Sequence, residues 1–205
     1  MVNMISKTVI KKNSQELTLS YGKSLQMNIN PSKKFFENAI DKEKLIYKKI
    51  ENSYIISLLN KLINKSLMYK SLLTEEYFFI LCDRDGYIIN LIYDDKLKDY
   101  FNKLHFTEGN SLRIEDCGTN AVCMAMEYKS QVELSGKDHY CDLFKDWYCT
   151  AIPIFDNYYR ETIAYLDMSR IKIPNIREES IILRNMAIYI EDCITYRSEK
   201  LPVIV

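Results

Sequence analysis

The hydrophobic positions of this chain first recur at helical spacing. From Ser32, Phe35, Phe36, Ala39 and Ile40 fall on one face, and Leu45 and Ile46 continue it. A stronger helix is predicted from about Ser53 to Met68. Its stripe of Ile55, Leu58, Leu59, Leu62, Ile63 and Leu67 runs at three- and four-residue steps, a face suited to packing on a sheet or another helix. The period then changes to two. Residues 77–82 and 87–93 predict strands joined by Asp83-Arg84-Asp85-Gly86, where glycine supplies the positive φ that a tight hairpin needs. A short helix is expected over Asp95–Leu104, a loop over 109–118, and a helix beginning in CGTNAVCMAMEYKS that Thr119 or Asn120 caps. Gln131 to Leu134 reads as a short strand ended by Gly136. Asp138 is the expected N-cap of a helix through HYCDLFKDW, with Tyr140, Phe144 and Trp147 on one face. Strands over 148–155 and 161–169 follow, with Asp156–Arg160 as their turn; Pro153 lacks a ladder donor and points to an edge or bulge. The last helix is predicted over about Ile176–Arg197.

Hairpin-linked strands with helices between and around them predict an α+β fold. It has one central antiparallel sheet of five or six strands, flanked by helices, with long N- and C-terminal helices. Residues 1–31 are polar and mixed and read as a partly ordered arm. Residues 32–200 form the domain with its flanking helices, and residues 201–205 are expected to begin a connector to a region further on. On the last helix, Leu183, Met186, Ile190, Cys193 and Ile194 recur at helical spacing. That face suits a parallel partner helix, hence a homodimer, or the sheet of the same chain.

Composition narrows the function classes. With 205 residues and 47% hydrophobic residues, the chain can bury a sizeable core. Lysine plus arginine and aspartate plus glutamate are 28 each, so no net field draws it to nucleic acid or to an anionic membrane. The start, MVNMISKTVIKK, lacks an apolar signal core, and no apolar run reaches the length of a membrane span. The expected compartment is the cytoplasm, with the six cysteines reduced.

The densest chemistry is HYCDLFKDWYC, residues 139–149. His139, Cys141 and Cys149, with Cys117 or Cys123, are soft metal ligands, but the spacing matches no closed zinc pattern, and there is no CxxC. On a helix, residues two apart point about 200° from each other, which separates His139 from Cys141. No metal is expected and no cofactor; a metal or haem site is the minor alternative. Cys117, placed beside the N-terminus of the helix that begins in CGTNAVCMAMEYKS, is the best candidate for a reactive thiol, with Cys123 and Cys141 as further possible redox thiols. With two histidines and five glycines, acid–base or nucleotide-hydrolysis machinery has little material.

Four blocks carry a family resemblance: Gly118-Thr119-Asn120-Ala121-Val122, Gly136-Lys137-Asp138-His139-Tyr140, Trp147-Tyr148-Cys149-Thr150-Ala151-Ile152-Pro153-Ile154-Phe155-Asp156, and Ala164-Tyr165-Leu166-Asp167-Met168-Ser169. In this order and spacing they resemble the GAF sensory domains at the N-termini of sigma-54-dependent transcriptional activators, the acetoin-catabolism activator type. The weaker likeness of SYGKSL, NPSKKF and FFILCDRDGYII extends this to about residues 20 to 197. The resemblance implies a small-molecule pocket between the sheet and the 109–147 region. Thr119, Asn120, His139 and Tyr140 would be its polar contacts, and Met124, Phe144, Trp147 and Cys149 its walls. It also implies a signal receiver rather than an enzyme, with an effector as ligand and a downstream AAA+ ATPase and DNA-binding region as partners. A thiol, metal or haem sensor of the same fold is an alternative. A free methionine sulfoxide reductase, an activity a few GAF-fold proteins carry through cysteines, is the enzymatic one. Leu112, Cys123 and Met124 depart from the family pattern, so no relative's ligand carries over. Asp167 in LDMS reads as capping or orienting a turn.

Overall fold

The computed structural model describes residues 9–11, 14–37, 39–172 and 177–200. The expected connector at 201–205 and much of the arm's first third lie outside them. Five strands build one antiparallel sheet: β1 (Tyr77–Asp83), β2 (Ile88–Ile92), β3 (Val132–Ser135), β4 (Trp147–Asp156) and β5 (Glu161–Ile171), in the order β2-β1-β5-β4-β3. The fold is α+β, with helices on both faces of this sheet.

Alternation along the strands sorts the core into two layers. In β1, Phe78, Ile80 and Cys82 enter one layer while Tyr77, Phe79 and Leu81 enter the other. In β4, Trp147, Cys149 and Ala151 share the first layer, and Ile152 and Ile154 the second. The second layer is closed by α3 (Ser53–Lys65), α4 (Leu67–Thr74) and α8 (Arg177–Lys200). The first is closed by α1 (Gln15–Gln26), α5 (Lys98–Leu104), α6 (Ile114–Cys117), α7 (Ala121–Tyr128) and the turns of 136–146.

The β1–β2 hairpin forms as its Asp-Gly turn predicts. Gly86 has φ +86° and donates to the Asp83 carbonyl at 3.0 Å. Lys48 of α2 (Lys42–Glu51) reaches down to this turn, pairing with Asp83 and, at 2.8 Å, with Asp85. Pro153 pairs with Tyr165 of β5 beyond the end of β3, so its missing N–H costs the ladder little; a register shift follows at Ile154/Phe155.

Four expectations are corrected. The helix predicted from Ser32 begins only at Asp41, whose carboxylate caps Lys44 N at 2.8 Å. Before it, Phe36 N donates instead to the Leu104 carbonyl and Ile40 N to the Gly109 carbonyl. The 53–68 helix is two helices. Ser66 turns out of α3 with ψ +121° and caps α4 by accepting from Tyr69 N, leaving Leu67 87% exposed rather than in the stripe. Within the expected arm, Gln15–Gln26 is the helix α1, capped by Ser14 and packed through Leu17, Ser20 and Ser24. Finally, the face of α8 offered to a partner copy lies on the chain's own sheet: Leu183, Met186, Ile190 and Ile194 are buried against β4, β5 and α3, and Cys193 is half-buried.

Candidate functional site

The expected helix through HYCDLFKDW does not form. Two short 3₁₀ turns, Gly136–Asp138 and Asp142–Phe144, flank extended backbone at His139 and Cys141, and Trp147 already belongs to β4. Gly136 sits at φ +41°, and the Asp138 carboxylate folds back to accept from Ser135 N and Oγ at 3.1 and 2.7 Å. That local bonding competes with a helix start, and the helical spacing of Tyr140, Phe144 and Trp147 is coincidental.

The turn lies over the N-terminus of α7. Asn120 caps that helix: its Oδ1 accepts from Cys123 N at 3.0 Å, and its Nδ2 donates to the Leu112 and Gly118 carbonyls at 2.9 and 3.0 Å. Both amide hydrogens are therefore spent on the protein. Cys123 completes a capping box, its Sγ accepting from Asn120 N at 3.2 Å. Thr119, the other expected cap, is buried among α1 hydroxyls, with Ser20 and Ser24 Oγ each 2.9 Å from its Oγ1.

His139 is buried, and its Nδ1 lies 3.1 Å from the Gly136 carbonyl. A carbonyl only accepts, so Nδ1 carries the proton and Nε2 is left as an acceptor. Burial holds the ring neutral, its pKa pushed down to about 4. Nε2 has no hydrogen-bond partner among the described residues. Phe144 lies 5.4 Å from the His139 ring and 5.3 Å, edge to face, from Trp147. Trp147 joins Phe78, Phe101 and Phe106 in an aromatic cluster, each such pair worth about 0.5–1.5 kcal/mol beyond burial. Its Nε1 donates to Tyr100 Oη at 2.9 Å, so its polar end is also used.

Asp167 closes the site from below. It sits mid-strand in β5, not at a turn as expected, on the same face as Tyr165 and Ser169. Ser169 Oγ donates to it, yet burial pushes its carboxyl up to about 7. Asn120, His139, Phe144, Trp147, Cys149 and Asp167 line one cavity of about 10 Å³, room for roughly a single water. Of the other expected site residues, Met124 is core, and Tyr140 covers Gly118 and meets Tyr21 of α1 edge to face at 5.4 Å. Sequence reasoning missed the lining residues Ile80, Leu112, Ala121 and Val122, and above all Asp167. Its signal was a carboxylate in the middle of an otherwise apolar strand.

Roomier clefts lie elsewhere. One of about 350 Å³ adjoins Lys48, Asp83 and Asp85; another of about 240 Å³ adjoins Arg113 and Asp116. In the first, Lys48 pairs with Asp83 and Asp85; in the second, Arg113 pairs with Asp116.

Cys117 ends α6 rather than facing a helix N-terminus, and its thiol donates to the Ser111 carbonyl at 3.1 Å. Cys141 Sγ donates to the Asn30 carbonyl at 3.4 Å. Burial raises all three expected redox thiols, Cys141 to about 11, Cys123 to about 12 and Cys117 further. A thiolate reagent at pH 8 is therefore expected to label half-buried Cys193 fast in the native protein. The other five cysteines should react only as fast as the chain opens; rapid labelling of Cys117 or Cys123 would restore a reactive-thiol reading. Among the described residues no group of three or more His, Cys, Asp or Glu is placed to hold a metal ion. None of the described helices is long and apolar enough to cross a membrane.

No family model matches the chain. An uncharacterized 47.3 kDa protein from the thcA 5′ region of Rhodococcus erythropolis is 25% identical over 137 residues, covering 65% of this chain; the chain spans only 31% of that protein's length. Among solved structures, the E. coli DhaR(N)–DhaL complex aligns with a TM-score of 0.83 at 12% identity, over 90% of this chain and 62% of the solved one. That is a likeness of fold. The GAF domain of the nutrient sensor CodY from Clostridium difficile aligns at a TM-score of 0.41 and 14% identity, over 74% of this chain and 97% of that one.

Proposed function

We propose that this chain is a GAF-like signal-sensing domain that receives a small-molecule effector and governs regions attached to it. The observation that carries the reading is the small cavity at His139 and Asp167, where a buried polar acceptor without a partner among the described residues faces a lining of apolar side chains with Asn120 and Asp167. On this reading the whole protein is a cytoplasmic sigma-54-dependent activator. The segment itself is a receiver, not an enzyme, and the output is an AAA+ ATPase with a DNA-binding region. The resemblance of the four sequence blocks and the likeness to DhaR(N) support it. A protein input is the second reading, because the DhaR(N) structure is of a complex with DhaL.

The route from the site is α1. Its Ser20 and Ser24 hold Thr119, and its Tyr21 hydroxyl contacts the Lys137 and His139 carbonyls at 2.9 and 2.8 Å. The cavity holds about one water, so a larger effector must displace the 136–146 turn, and Tyr21 moves with it. Coupling requires that the effector favour one of these arrangements over the other. A homodimer would use the outer side of α8, where Ile181, Ile188, Tyr189 and Tyr196 are exposed.

Thr119→Val removes the hydroxyl that both α1 serines contact and keeps the side chain's shape. In the full-length protein it is expected to change effector-dependent output at least about fivefold while the domain stays folded. An unchanged output would overturn the α1 route. A reading frame beyond Val205 without a nucleotide-binding region would overturn the activator assignment.

A further inference from the structure

The cleft of about 350 Å³ opens on the second core layer, across the sheet from the His139 cavity. Four separate stretches meet there: the α2–α3 joint, the β1–β2 turn, the start of β5 and the second half of α8. Ile55, Ile163 and Ile194 give it an aliphatic wall. Five charged side chains line the rest, and three of them satisfy one another. Lys48 is held between Asp83 and Asp85, and the other oxygen of Asp83 accepts from Asp85 N and Tyr87 N at 3.0 and 2.9 Å. The remaining two are Glu51, at the end of α2, and Arg84, in the turn. Both are exposed, and among the described residues neither forms a salt bridge. Arg84 adds only a longer-range pull on the Asp85 carboxyl, which Lys48 chiefly lowers.

The cleft therefore offers one spare anion and one spare cation from different elements, together with aliphatic surface. A small anion paired with Arg84 would still face the Glu51 and Asp85 carboxylates, and a small cation paired with Glu51 would face Arg84 and Lys48. An uncharged aliphatic molecule would use neither charge. Among the described residues no group of three or more His, Cys, Asp or Glu is placed to hold a metal ion. Glu51 and Arg84 do not reach each other, so a ligand that meets both must carry its own charges apart.

We propose that this cleft is a second ligand site, independent of the His139 cavity, and that it takes a small zwitterion whose ammonium and carboxylate are separated by a short aliphatic chain. The carboxylate pairs with Arg84, the ammonium pairs with Glu51, and the chain lies on Ile55, Ile163 and Ile194. Occupancy ties the β1–β2 turn and the α2–α3 joint to α8. Tyr54 already makes part of that link: its hydroxyl contacts the Cys193 carbonyl at 3.4 Å, and the Arg197 guanidinium lies 4.2 Å from its ring. The ligand thus favours the arrangement with α8 seated on the sheet.

Three probes of one chain length separate the charge classes: 5-aminopentanoate is a zwitterion, pentanoate an anion and pentylamine a cation. Both rim charges are solvated, so 5-aminopentanoate is expected to bind in the millimolar range and to shift the amide resonances of Asn52, Arg84 and Asp85. At ten times its Kd it should raise Tm by roughly 3–6 °C. Pentanoate and pentylamine should each bind about fivefold more weakly or worse. Glu51→Gln and Arg84→Gln alter exposed side chains and should leave the Tm of the free chain unchanged. Each should weaken the zwitterion about fivefold, while Glu51→Gln binds pentanoate no more weakly than the wild type. Pentanoate or pentylamine binding as tightly as 5-aminopentanoate would overturn the ligand class. A rise in Tm that survives in both variants is a general osmolyte effect; that result, or amide resonances unmoved by all three probes, would overturn the site.

Discussion

Asp167→Asn is expected to stabilise the folded chain at pH 8 by on the order of 3 kcal/mol, and to change how its stability depends on pH. In the native state burial keeps the Asp167 carboxyl protonated up to about pH 7, whereas an unfolded aspartate ionises near 3.8. Between those values the unfolded chain holds fewer protons than the native one, so stability falls as pH rises. The contribution is fully present below about pH 4 and gone above about pH 7. His139 works in the opposite sense over nearly the same range. Its native pKa is about 4 against an ordinary 6.5, so its contribution is present above 6.5 and lost as pH falls through 4. Buried Glu191, raised from 4.5 to about 7 where it accepts from Phe155 N, adds to the Asp167 trend. Asparagine keeps the acceptor for Ser169 Oγ and removes the proton. Relative to the wild type, the variant should gain about 1.4 kcal/mol per pH unit between pH 4 and 7. Urea unfolding at four pH values across that range checks it. Parallel curves for the two proteins would mean that Asp167 is ionised in the native state.

Gly118→Ala and Gly22→Ala should move stability in opposite directions, although the chemical change is the same. Gly118 follows α6 with φ +64° and ψ −168°, a region that L side chains scarcely adopt. A Cβ there would lie 2.7 Å from Cδ1 of Tyr140 and 3.1 Å from its Cβ. The turn carrying Tyr140 is tied to this loop, Tyr140 N donating to the Thr119 carbonyl at 2.9 Å, so it cannot retreat without opening the cavity. The expected loss is about 3 kcal/mol or more, roughly 6–12 °C in Tm for a chain of this size. Gly22 lies inside α1, and an added Cβ meets nothing within 4 Å. Alanine there should add about 0.5–1 kcal/mol by restricting the unfolded chain and favouring the helix. Calorimetry of both variants decides it; a Gly118→Ala protein as stable as the wild type would show that the loop is free to rearrange.

How far the site was legible before the structure depends on where each hydrogen bond goes. Asn120 was legible as a helix cap because an N-cap bonds three residues ahead, within reach of local reasoning. Thr119 looked equivalent, but its partners are Ser20 and Ser24, 99 and 95 residues earlier, in a stretch too polar to announce a buried helix. The α1 stripe is mostly hydroxyls, and a hydroxyl stripe buries only where another element supplies matching partners. Asp167 was visible as a residue but not as a site member. Its depth comes from β1 and β4 on either side of β5 and from the turn above them.

Local sequence by itself determined the β1–β2 hairpin, the paired long strands, the buried face of α3 and the α+β class. In each, the deciding signal is periodicity or turn chemistry confined to a few neighbouring residues. Tertiary structure alone decided three things: that 136–146 is a pair of tight turns, that the apolar face of α8 belongs to its own sheet, and that a neutral histidine and a buried carboxyl share one cavity. Those outcomes rest on desolvation and on bonds between residues far apart in the chain, and neither has a signature in local spacing.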